Sequence, residues 1–428
     1  MNPVERSDLR RILVFPAGTE IALEILGALR WCRGVSVIGA GDASSNPGRF
    51  AFPAYFEIPN VSDPGWLPAL VELVQDQHVD YIFPAHDEAL LALANAVDNV
   101  PCPVVGSPPE TSILTRSKSK TYERLRGSVK VPQVYGEVQA VSQFPVFVKP
   151  DAGFGARHSR VAKNSDDLIL AVEEAGEAVI CEYLPGEEYT VDCFSSRRNG
   201  LLFAGARQRI RTRNGIAVHS RAVCLPEVPE IAKAIMTRIE LNGAWFFQLK
   251  RDSRGELTLL EVAPRIAGTM GLHRVMGINF PMLSILDLEG ESLRVMPLDV
   301  TLEVDRALSS RFRHSMEFRA LYVDLDDTLL FSGKVNADLV AVIFKAINEG
   351  KRVSLITRHA GQLQDTLMRH RLSELFDDVI HVAVGREKYE FIDPEGALFI
   401  DDSFVEREKV SLRLGIPTLD ASMLDLIK

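Results

Sequence analysis

The chain has 428 residues, of which 46% are hydrophobic and 25% are charged, and its net charge at pH 7 is −10. This length exceeds one ordinary hydrophobic core, so two or three domains are expected. The negative charge argues against a general nucleic-acid or anionic-membrane binder, and no apolar run is long enough to cross a bilayer. The polar start does not resemble a signal peptide, and five dispersed cysteines are typical of reduced thiols, so a cytoplasmic protein is expected.

The first third of the chain alternates apolar β-rich runs with helical patterns. This alternation predicts a parallel α/β sheet that is covered on both faces. The turn at 16–19 lies where such sheets bind ligands, but it lacks the Gly-x-Gly-x-x-Gly pattern of dinucleotide-binding proteins. Asp87 and Glu88 either cap the helix that they open or bind substrate. The predicted strands are 11–15, 35–39 and 79–83, and the predicted helices are 20–30 and 88–97.

A proline-rich break at 101–109 marks the first predicted domain boundary. The pattern then changes to α+β, with a helix at 117–126 and several strands joined by polar turns. The charged segment 297–318 is weakly patterned and is interpreted as a linker, after which a new α/β pattern begins. The predicted domains are therefore 1–110, 111–316 and 317–428. The predicted strands of the middle domain are 145–149, 179–183, 189–195, 201–206, 245–250 and 257–263.

A lysine followed by glycines suggests a phosphate-binding loop in the middle domain. Lys149 ends a predicted strand, and Gly153 and Gly155 follow it. Glycines let backbone N–H groups approach phosphate oxygens, because no Cβ stands in the way. Lys118 on the preceding helix could reach the same phosphates.

Polar residues that could complete a nucleotide and metal site follow along the chain. The backbone at Glu182 and Leu184 could contact an adenine edge, and Glu188 could accept hydrogen bonds from ribose. Gln248 and Glu261 lie on successive strands and offer the hard oxygen ligands that Mg²⁺ prefers. Arg265 could neutralise a transferring phosphoryl group or an acyl phosphate.

With these motifs, residues 10–315 resemble the ATP-grasp superfamily, in its carbamoyl-phosphate-synthetase and carboxylate–amine ligase branch. The resemblance implies a nucleotide-fold-like pre-ATP-grasp domain, an ATP-grasp domain, and ligation of a carboxylate to an amine through an acyl phosphate. It also implies ATP and Mg²⁺ as cofactors. By the same resemblance, phosphates are bound by Lys118 and Lys149, adenosine by Glu182, Leu184 and Glu188, magnesium by Gln248 and Glu261, and the reacting phosphoryl group by Arg265.

Two departures from the family pattern leave an alternative open. Members of the family usually have the motif Glu-x-Asn-Pro-Arg, and here Ala263 stands at the asparagine position. The glycine loop usually continues Gly-Ser-x-Gly, whereas this chain has Gly155-Ala156-Arg157-His158. A nucleotide-binding regulatory or scaffold protein with attenuated sites is therefore the alternative to an active ligase.

Arginines recur at alternate positions from Arg207 to Arg213, which places them on one face of a strand. The segment is interpreted either as a solvated edge strand or as a clamp for an anionic substrate.

A second set of polar residues follows the strands of the last domain. Asp324 and Asp326 come directly after an apolar strand, Thr357 ends the next strand, and Asp401 and Asp402 follow a later one. One carboxylate at such a strand end can attack a phosphate while its neighbour protonates the leaving oxygen. The gaps between these positions are too short for a large cap domain, which predicts a site that is either open or covered by the ATP-grasp part.

Residues 317–428 thereby resemble the haloacid-dehalogenase superfamily, which consists mostly of Mg²⁺-dependent phosphatases. The resemblance implies a capless Rossmann-like domain with Asp324 as nucleophile and Asp326 as general acid and base. Thr357 and Lys388 would bind phosphate, and a metal would be held by Asp324, Asp326, Asp401 and Asp402. The alternatives to a bifunctional ligase and phosphatase are a catalytically silent copy of such a domain and a phosphatase regulated by ATP. The expected partners are a small-molecule carboxylate and amine, with no nucleic acid and no membrane, and a homo-oligomer stays open.

Overall fold

The computed structural model describes residues 9–153, 157–309, 312 and 315–427. The chain forms two compact units, Met1–Leu308 and Ser309–Lys428. The first unit spans the predicted domain 1–110 and most of the predicted domain 111–316, and the second begins eight residues before the predicted start of the third at 317. Within the described residues, no helix has the length and apolar character needed to span a membrane.

The first sheet of unit 1 is parallel, as predicted, with the strand order β3-β2-β1-β4. Its strands are β1 (Arg10–Phe15), β2 (Val35–Gly41), β3 (Tyr55–Glu57) and β4 (Tyr81–Pro84), and its helices are α1 (Glu20–Leu29), α2 (Gly48–Ala51), α3 (Trp66–Asp76) and α4 (Asp87–Asn95). Along β1, Ile12 and Val14 enter one hydrophobic core, while Leu13 and Phe15 enter another. Burial on both faces explains why this strand is apolar at consecutive positions.

A small antiparallel sheet follows, with the order β5-β8-β6-β7. Its strands are β5 (Val134–Tyr135), β6 (Val146–Pro150), β7 (Arg160–Ala162) and β8 (Ala178–Glu182), and the helices nearby in sequence are α5 (Pro109–Arg116), α6 (Lys118–Leu125) and α7 (Ser165–Ala175). Helix α6 begins after Ser117, whose hydroxyl accepts a hydrogen bond from the Lys120 amide.

The largest sheet has the order β13-β12-β9-β10-β11-β14 and is antiparallel throughout. Its strands are β9 (Glu188–Ser196), β10 (Gly200–Arg213), β11 (Ile216–Val223), β12 (Gly243–Arg251), β13 (Leu257–Ala263) and β14 (Glu303–Asp305), accompanied by α8 (Val228–Met236), α9 (Gly271–Val275) and α10 (Phe280–Leu288). The interpretation of 297–318 as a linker was wrong, because that segment contains β14. The arginine-rich segment differs along its length. Arg207 pairs with both β9 and β11, whereas residues 211–213 pair with β11 alone and are exposed, as expected of a solvated edge strand.

Unit 2 contains a parallel five-stranded sheet in the order β19-β18-β15-β20-β21, together with the hairpin β16–β17. The strands are β15 (Ala320–Val323), β16 (Leu330–Phe331), β17 (Lys334–Val335), β18 (Arg352–Thr357), β19 (Asp378–His381), β20 (Ala397–Ile400) and β21 (Thr418–Leu419), and the helices are α11 (Ala337–Asn348), α12 (Leu363–Arg369) and α13 (Phe404–Leu414). The predicted α/β pattern of this region is confirmed. Because neighbouring strands are parallel, the chain segments that leave β15, β18 and β20 meet at one edge of the sheet.

Candidate functional sites

The large sheet of unit 1 carries a row of polar side chains on one face. Glu261 on β13 lies opposite Gln248 on β12, which lies opposite Thr190 on β9, which in turn lies opposite Arg207 on β10. Directly paired residues of a sheet point to the same face. Gln248 Nε2 donates to Glu261 Oε1 at 2.7 Å, so the two predicted magnesium ligands are brought together.

Lys149, at the end of β6, is only 6% exposed. Its Nζ donates to the Tyr122 hydroxyl at 2.6 Å and lies 3.4 Å from the Leu260 carbonyl. The Tyr122 hydroxyl in turn donates to the Leu260 carbonyl at 2.6 Å. Sequence reasoning missed Tyr122, which anchors the predicted phosphate-binding lysine from helix α6. Its signal was its position four residues after Lys118, one turn along the same helix.

The second predicted lysine lies beside the start of the glycine loop. Lys118 Nζ donates to the carbonyls of Pro150 and Asp151 at 3.1 and 3.3 Å. The carbonyl of Gly153 accepts from Arg116 at 3.0 Å. Gly155 lies outside the described residues. The structure therefore places both lysines at the end of β6.

The charges of these lysines are coupled to Glu261. Burial lowers the pKa of Lys118, although Glu261 opposes that effect. Burial acts in the same direction on Lys149, but Tyr122, Cys181 and Glu261 together outweigh it, so the pKa of Lys149 is raised. Burial raises the pKa of Tyr122 to about 12. At neutral pH the phenol therefore stays protonated beside a charged ammonium group.

The predicted catalytic arginine, Arg265, is held by an acid at the start of helix α4. Its Nε and Nη2 donate to Asp87 Oδ1 and Oδ2 at 2.6 and 2.8 Å, and its Nη1 donates to the Ile266 carbonyl. Although burial opposes it, the Arg265 charge lowers the pKa of Asp87. Helix α4 is capped by the His86 side chain, which accepts from the Glu88 amide, so the side-chain capping expected from Asp87 and Glu88 was assigned to the wrong residues.

The predicted adenosine contacts lie at the end of β8 and the start of β9. The Glu182 amide donates to the Gln133 carbonyl at 2.9 Å, and Leu184 is buried. Glu188 forms ion pairs with Arg209 at 2.8 Å and Lys250 at 3.8 Å. The sequence did not predict these ion pairs, and a ribose hydroxyl would have to share the Glu188 carboxylate with them.

Arg207 is not solvated, because it belongs to a buried ionic triad. Its Nε and Nη2 donate to the two carboxylate oxygens of Asp192 at 2.9 and 3.1 Å. His273 Nδ1 lies 2.8 Å from Asp192 Oδ2. All three side chains are at most 3% exposed. The interpretation of Arg207 as part of a solvated edge strand was wrong.

In unit 2, Lys388 bridges two acids that leave adjacent strands. Its Nζ donates to Asp324 Oδ1 and to Asp401 Oδ2, each at 2.6 Å. All three side chains are buried. The predicted phosphate-binding lysine thus contacts the predicted nucleophile directly.

Three carboxylates form a cluster with the geometry of a metal site. Oxygens of Asp324, Asp401 and Asp402 all lie within 4.8 Å of one another. Thr328 Oγ1 orients the third acid, since it accepts from the Asp402 amide at 2.8 Å and donates to Asp402 Oδ1 at 3.2 Å. Burial, reinforced by Asp401 and opposed by Lys388, raises the pKa of Asp324 to about 7. Such a set of hard oxygen donors fits Mg²⁺.

Asp326, the fourth predicted metal ligand, is not a member of this cluster. The next residue, Asp327, has a left-handed backbone with φ of 57°, which an aspartate tolerates. Both Asp326 carboxylate oxygens lie 3.0 Å from His359 Nδ1. Thr357 is fully buried and its hydroxyl accepts from the His359 amide at 3.1 Å. Sequence reasoning missed His359, which lies two residues after Thr357 in the loop following β18.

Comparison with known proteins identifies the fold of unit 1. Residues 174–307 match a family described as ATP-grasp in the biosynthetic pathway with Ter operon. A segment of 98 residues is 29% identical to a D-alanine–D-alanine ligase of Fusobacterium nucleatum. This segment covers 23% of the chain and spans only 34% of that enzyme.

Solved structures with this fold cover about two thirds of the chain. Biotin carboxylase from Campylobacter jejuni, solved as a complex with β,γ-ATP, is 20% identical with a TM-score of 0.58, over 68% of this chain and 74% of that one. N5-carboxyaminoimidazole synthetase from Staphylococcus aureus, solved with ADP, is 18% identical with a TM-score of 0.55, over 68% and 80%. The chain therefore contains an ATP-grasp fold with a preceding pre-ATP-grasp domain, arranged as in biotin carboxylase.

Proposed function

We propose that unit 1 is an ATP-dependent carboxylate–amine ligase that works through an acyl phosphate. The observation that carries this proposal is that Lys118 and Lys149 both lie at the end of β6, and that Lys149 approaches the Leu260 carbonyl, next to the Gln248–Glu261 hydrogen bond, in an ATP-grasp fold. The D-alanine–D-alanine ligase among the relatives supports the same reaction class. ATP and Mg²⁺ are the proposed cofactors, and a small carboxylate and an amine are the proposed substrates.

The proposed reaction has two steps. A substrate carboxylate oxygen forms a bond to the γ-phosphorus of ATP while the bond to the β-phosphate oxygen breaks, which gives an acyl phosphate and ADP. The amine then attacks the acyl carbon, phosphate leaves, and the nitrogen loses a proton. Lys118 and Lys149 would neutralise phosphate oxygens, and Arg265 would stabilise charge on the transferring group.

Magnesium would be held by Glu261 and Gln248, and it would neutralise the phosphates of the nucleotide. Ala263 is buried and offers no donor at the position where the family usually has asparagine. Glu261 is therefore the principal protein ligand in this proposal. Unit 1 thus offers one carboxylate to a metal ion, whereas unit 2 offers the three of Asp324, Asp401 and Asp402.

The test is ADP formation by the purified full chain with MgATP and a matrix of carboxylates and amines. We expect ADP formation that requires one carboxylate and rises with one amine. Glu261→Gln should abolish ADP formation while nucleotide still binds. Glu256→Gln, which changes an exposed acid on the turn before β13, should behave like the wild type. Nucleotide binding without turnover across the matrix would favour the attenuated regulatory or scaffold protein.

A second function is proposed for unit 2, that of a phosphomonoester phosphatase. The observation that favours it is the contact of Lys388 with Asp324 and Asp401 beside the carboxylate cluster. Asp324 would attack phosphorus as the ester bond breaks, and Asp326 would protonate the leaving oxygen. Water would then attack the aspartyl phosphate, give its proton to Asp326, and release phosphate and Asp324.

A bound Mg²⁺ would be held by Asp324, Asp401 and Asp402, where it would neutralise phosphate oxygens. The test is phosphate release from p-nitrophenyl phosphate by the full chain. We expect Asp324→Asn to abolish this release and to leave carboxylate-dependent ADP formation intact. A wild type without phosphatase activity on a broad phosphoester panel would favour the silent-domain alternative.

A further inference from the structure

His359 is held by four polar contacts, two of its backbone and two of its ring. Its amide donates to Thr357 Oγ1 at 3.1 Å, and its carbonyl lies 2.9 Å from His381 Nε2. Its ring nitrogens contact Asp326 on one side and Thr366 on the other. The ring is thus held between the loop after β15 and helix α12.

The ring contacts fix the orientation of His359 relative to the Asp326 carboxylate. Nε2 lies 2.9 Å from Thr366 Oγ1, while Nδ1 lies 3.0 Å from both oxygens of Asp326. With Nδ1 protonated, the ring donates to one Asp326 oxygen and leaves the other oxygen to carry the proton that the acid transfers. Gly361 leaves room for this ring, because a Cβ there would lie 3.0 Å from His359 Nε2.

Asp326 needs such a partner, because 51% of its side chain is exposed on a turn. An exposed carboxylate without a partner samples several rotamers and loses freedom when it is fixed. We propose that His359 is a positioning residue that orients Asp326 toward the leaving oxygen of a phosphomonoester. This proposal rests on the proposed phosphatase function and adds to it a residue that does not itself touch the substrate.

The chemistry of the step determines what the loss of His359 should change. Bond cleavage transfers the Asp326 proton to the leaving oxygen, so a poorly placed Asp326 slows the departure of basic leaving groups. An alkyl phosphate leaves as a strongly basic alkoxide and needs this proton. A p-nitrophenolate is weakly basic and leaves without it. General acid catalysis of this kind typically contributes about 10²–10⁴-fold.

The experiment compares kcat/KM for p-nitrophenyl phosphate and for glycerol 2-phosphate, using the full chain with MgCl₂. We expect His359→Ala to lower kcat/KM about 10²-fold for the alkyl ester and less than about threefold for the aryl ester. Thr366→Val, which removes the anchor of the ring, should show a smaller effect with the same leaving-group dependence. His359→Asn, which keeps an N–H donor near the Nδ1 position, should recover part of the alkyl activity. Asp365→Asn, an exposed acid on the same helix, should leave both values unchanged.

The outcomes separate this inference from the phosphatase function. Equal losses for both esters in His359→Ala would show a structural role and overturn the positioning role. Unchanged values for both esters would overturn it as well. A wild type inactive on both esters, or activity that persists in Asp324→Asn, would overturn the phosphatase function and the inference with it.

Discussion

Arg265 and Asp87, which lie 178 residues apart in sequence, form a two-point ion pair within unit 1. The pair uses the Nε–Nη2 edge of the guanidinium, and Nη1 donates to the Ile266 carbonyl. A guanidinium has five N–H groups, and these contacts use three of them. The other two N–H groups, on Nη1 and Nη2, can still donate hydrogen bonds to an anion. Asp87 therefore fixes the orientation of Arg265 without consuming all its donors.

Arg265→Lys should lower carboxylate-dependent ADP formation about 10²–10³-fold, the usual effect of losing a donor that stabilises transition-state charge. Lysine keeps the charge but lacks the planar guanidinium that can contact Asp87 and a phosphoryl group at the same time. ADP formation with the best carboxylate and amine gives the measurement. Arg254→Lys, in the exposed turn before β13, is the control. Equal turnover in both variants would remove Arg265 from the reaction.

Lys149→Ala should weaken MgATP binding and remove its turnover. Losing one charge-assisted contact costs about 1.5–3 kcal/mol, which corresponds to roughly 10–100-fold in affinity. Calorimetric titration with a non-hydrolysable ATP analogue measures the affinity, and Lys163→Ala, an exposed lysine just after β7, serves as the control. Binding and hydrolysis like those of the wild type would refute the assignment of Lys149.

The sequence predicted most strands, because burial of a strand leaves a local apolar pattern. It also predicted the position of Lys149, because the end of such a pattern marks the end of a strand. It could not predict that Tyr122 anchors Lys149, since that contact joins helix α6 to β6 across the fold. The pairing of Asp87 with Arg265 was hidden for the same reason. Strand β14 escaped prediction because three residues at a sheet edge, two of them exposed, carry no hydrophobic period. Local patterns therefore identified candidate residues, and tertiary contacts decided their partners.

Asp192→Ala should reduce the free energy of unfolding of unit 1 by about 3–5 kcal/mol, because it leaves the buried charge of Arg207 without a partner. Asp305→Ala is the matched control, since the Asp305–Arg211 pair is about half exposed. Such a pair contributes about 0.2–1 kcal/mol. Urea unfolding followed by tryptophan fluorescence compares the two variants. A loss as small as that of the control would mean that the triad contributes little to stability.

Magnesium binding by unit 2 should strengthen as the pH rises through about 7, the raised pKa of Asp324. Below that pH the folded protein holds a proton on Asp324, and a metal ion must displace it. The affinity should therefore rise up to about tenfold per pH unit and level off once Asp324 is ionised. The unfolded chain releases this proton at the lower pH of an ordinary aspartate. In the metal-free protein, stability from protonated Asp324 is therefore present at low pH and lost as the pH rises through about 7.

Calorimetric titration with MgCl₂ in the absence of nucleotide, between pH 5.5 and 8.5, measures this dependence. Asp324→Asn is the matched variant, because an amide keeps the shape of the side chain but does not titrate in this range. We expect weaker binding and a flatter pH profile in that variant, with a remaining slope from Asp401, whose pKa burial also raises. If the wild type bound Mg²⁺ equally well at both ends of the range, the protonated state of Asp324 would not control the metal site. If Asp324→Asn kept the full slope, the titrating group would have to be Asp401 or another acid.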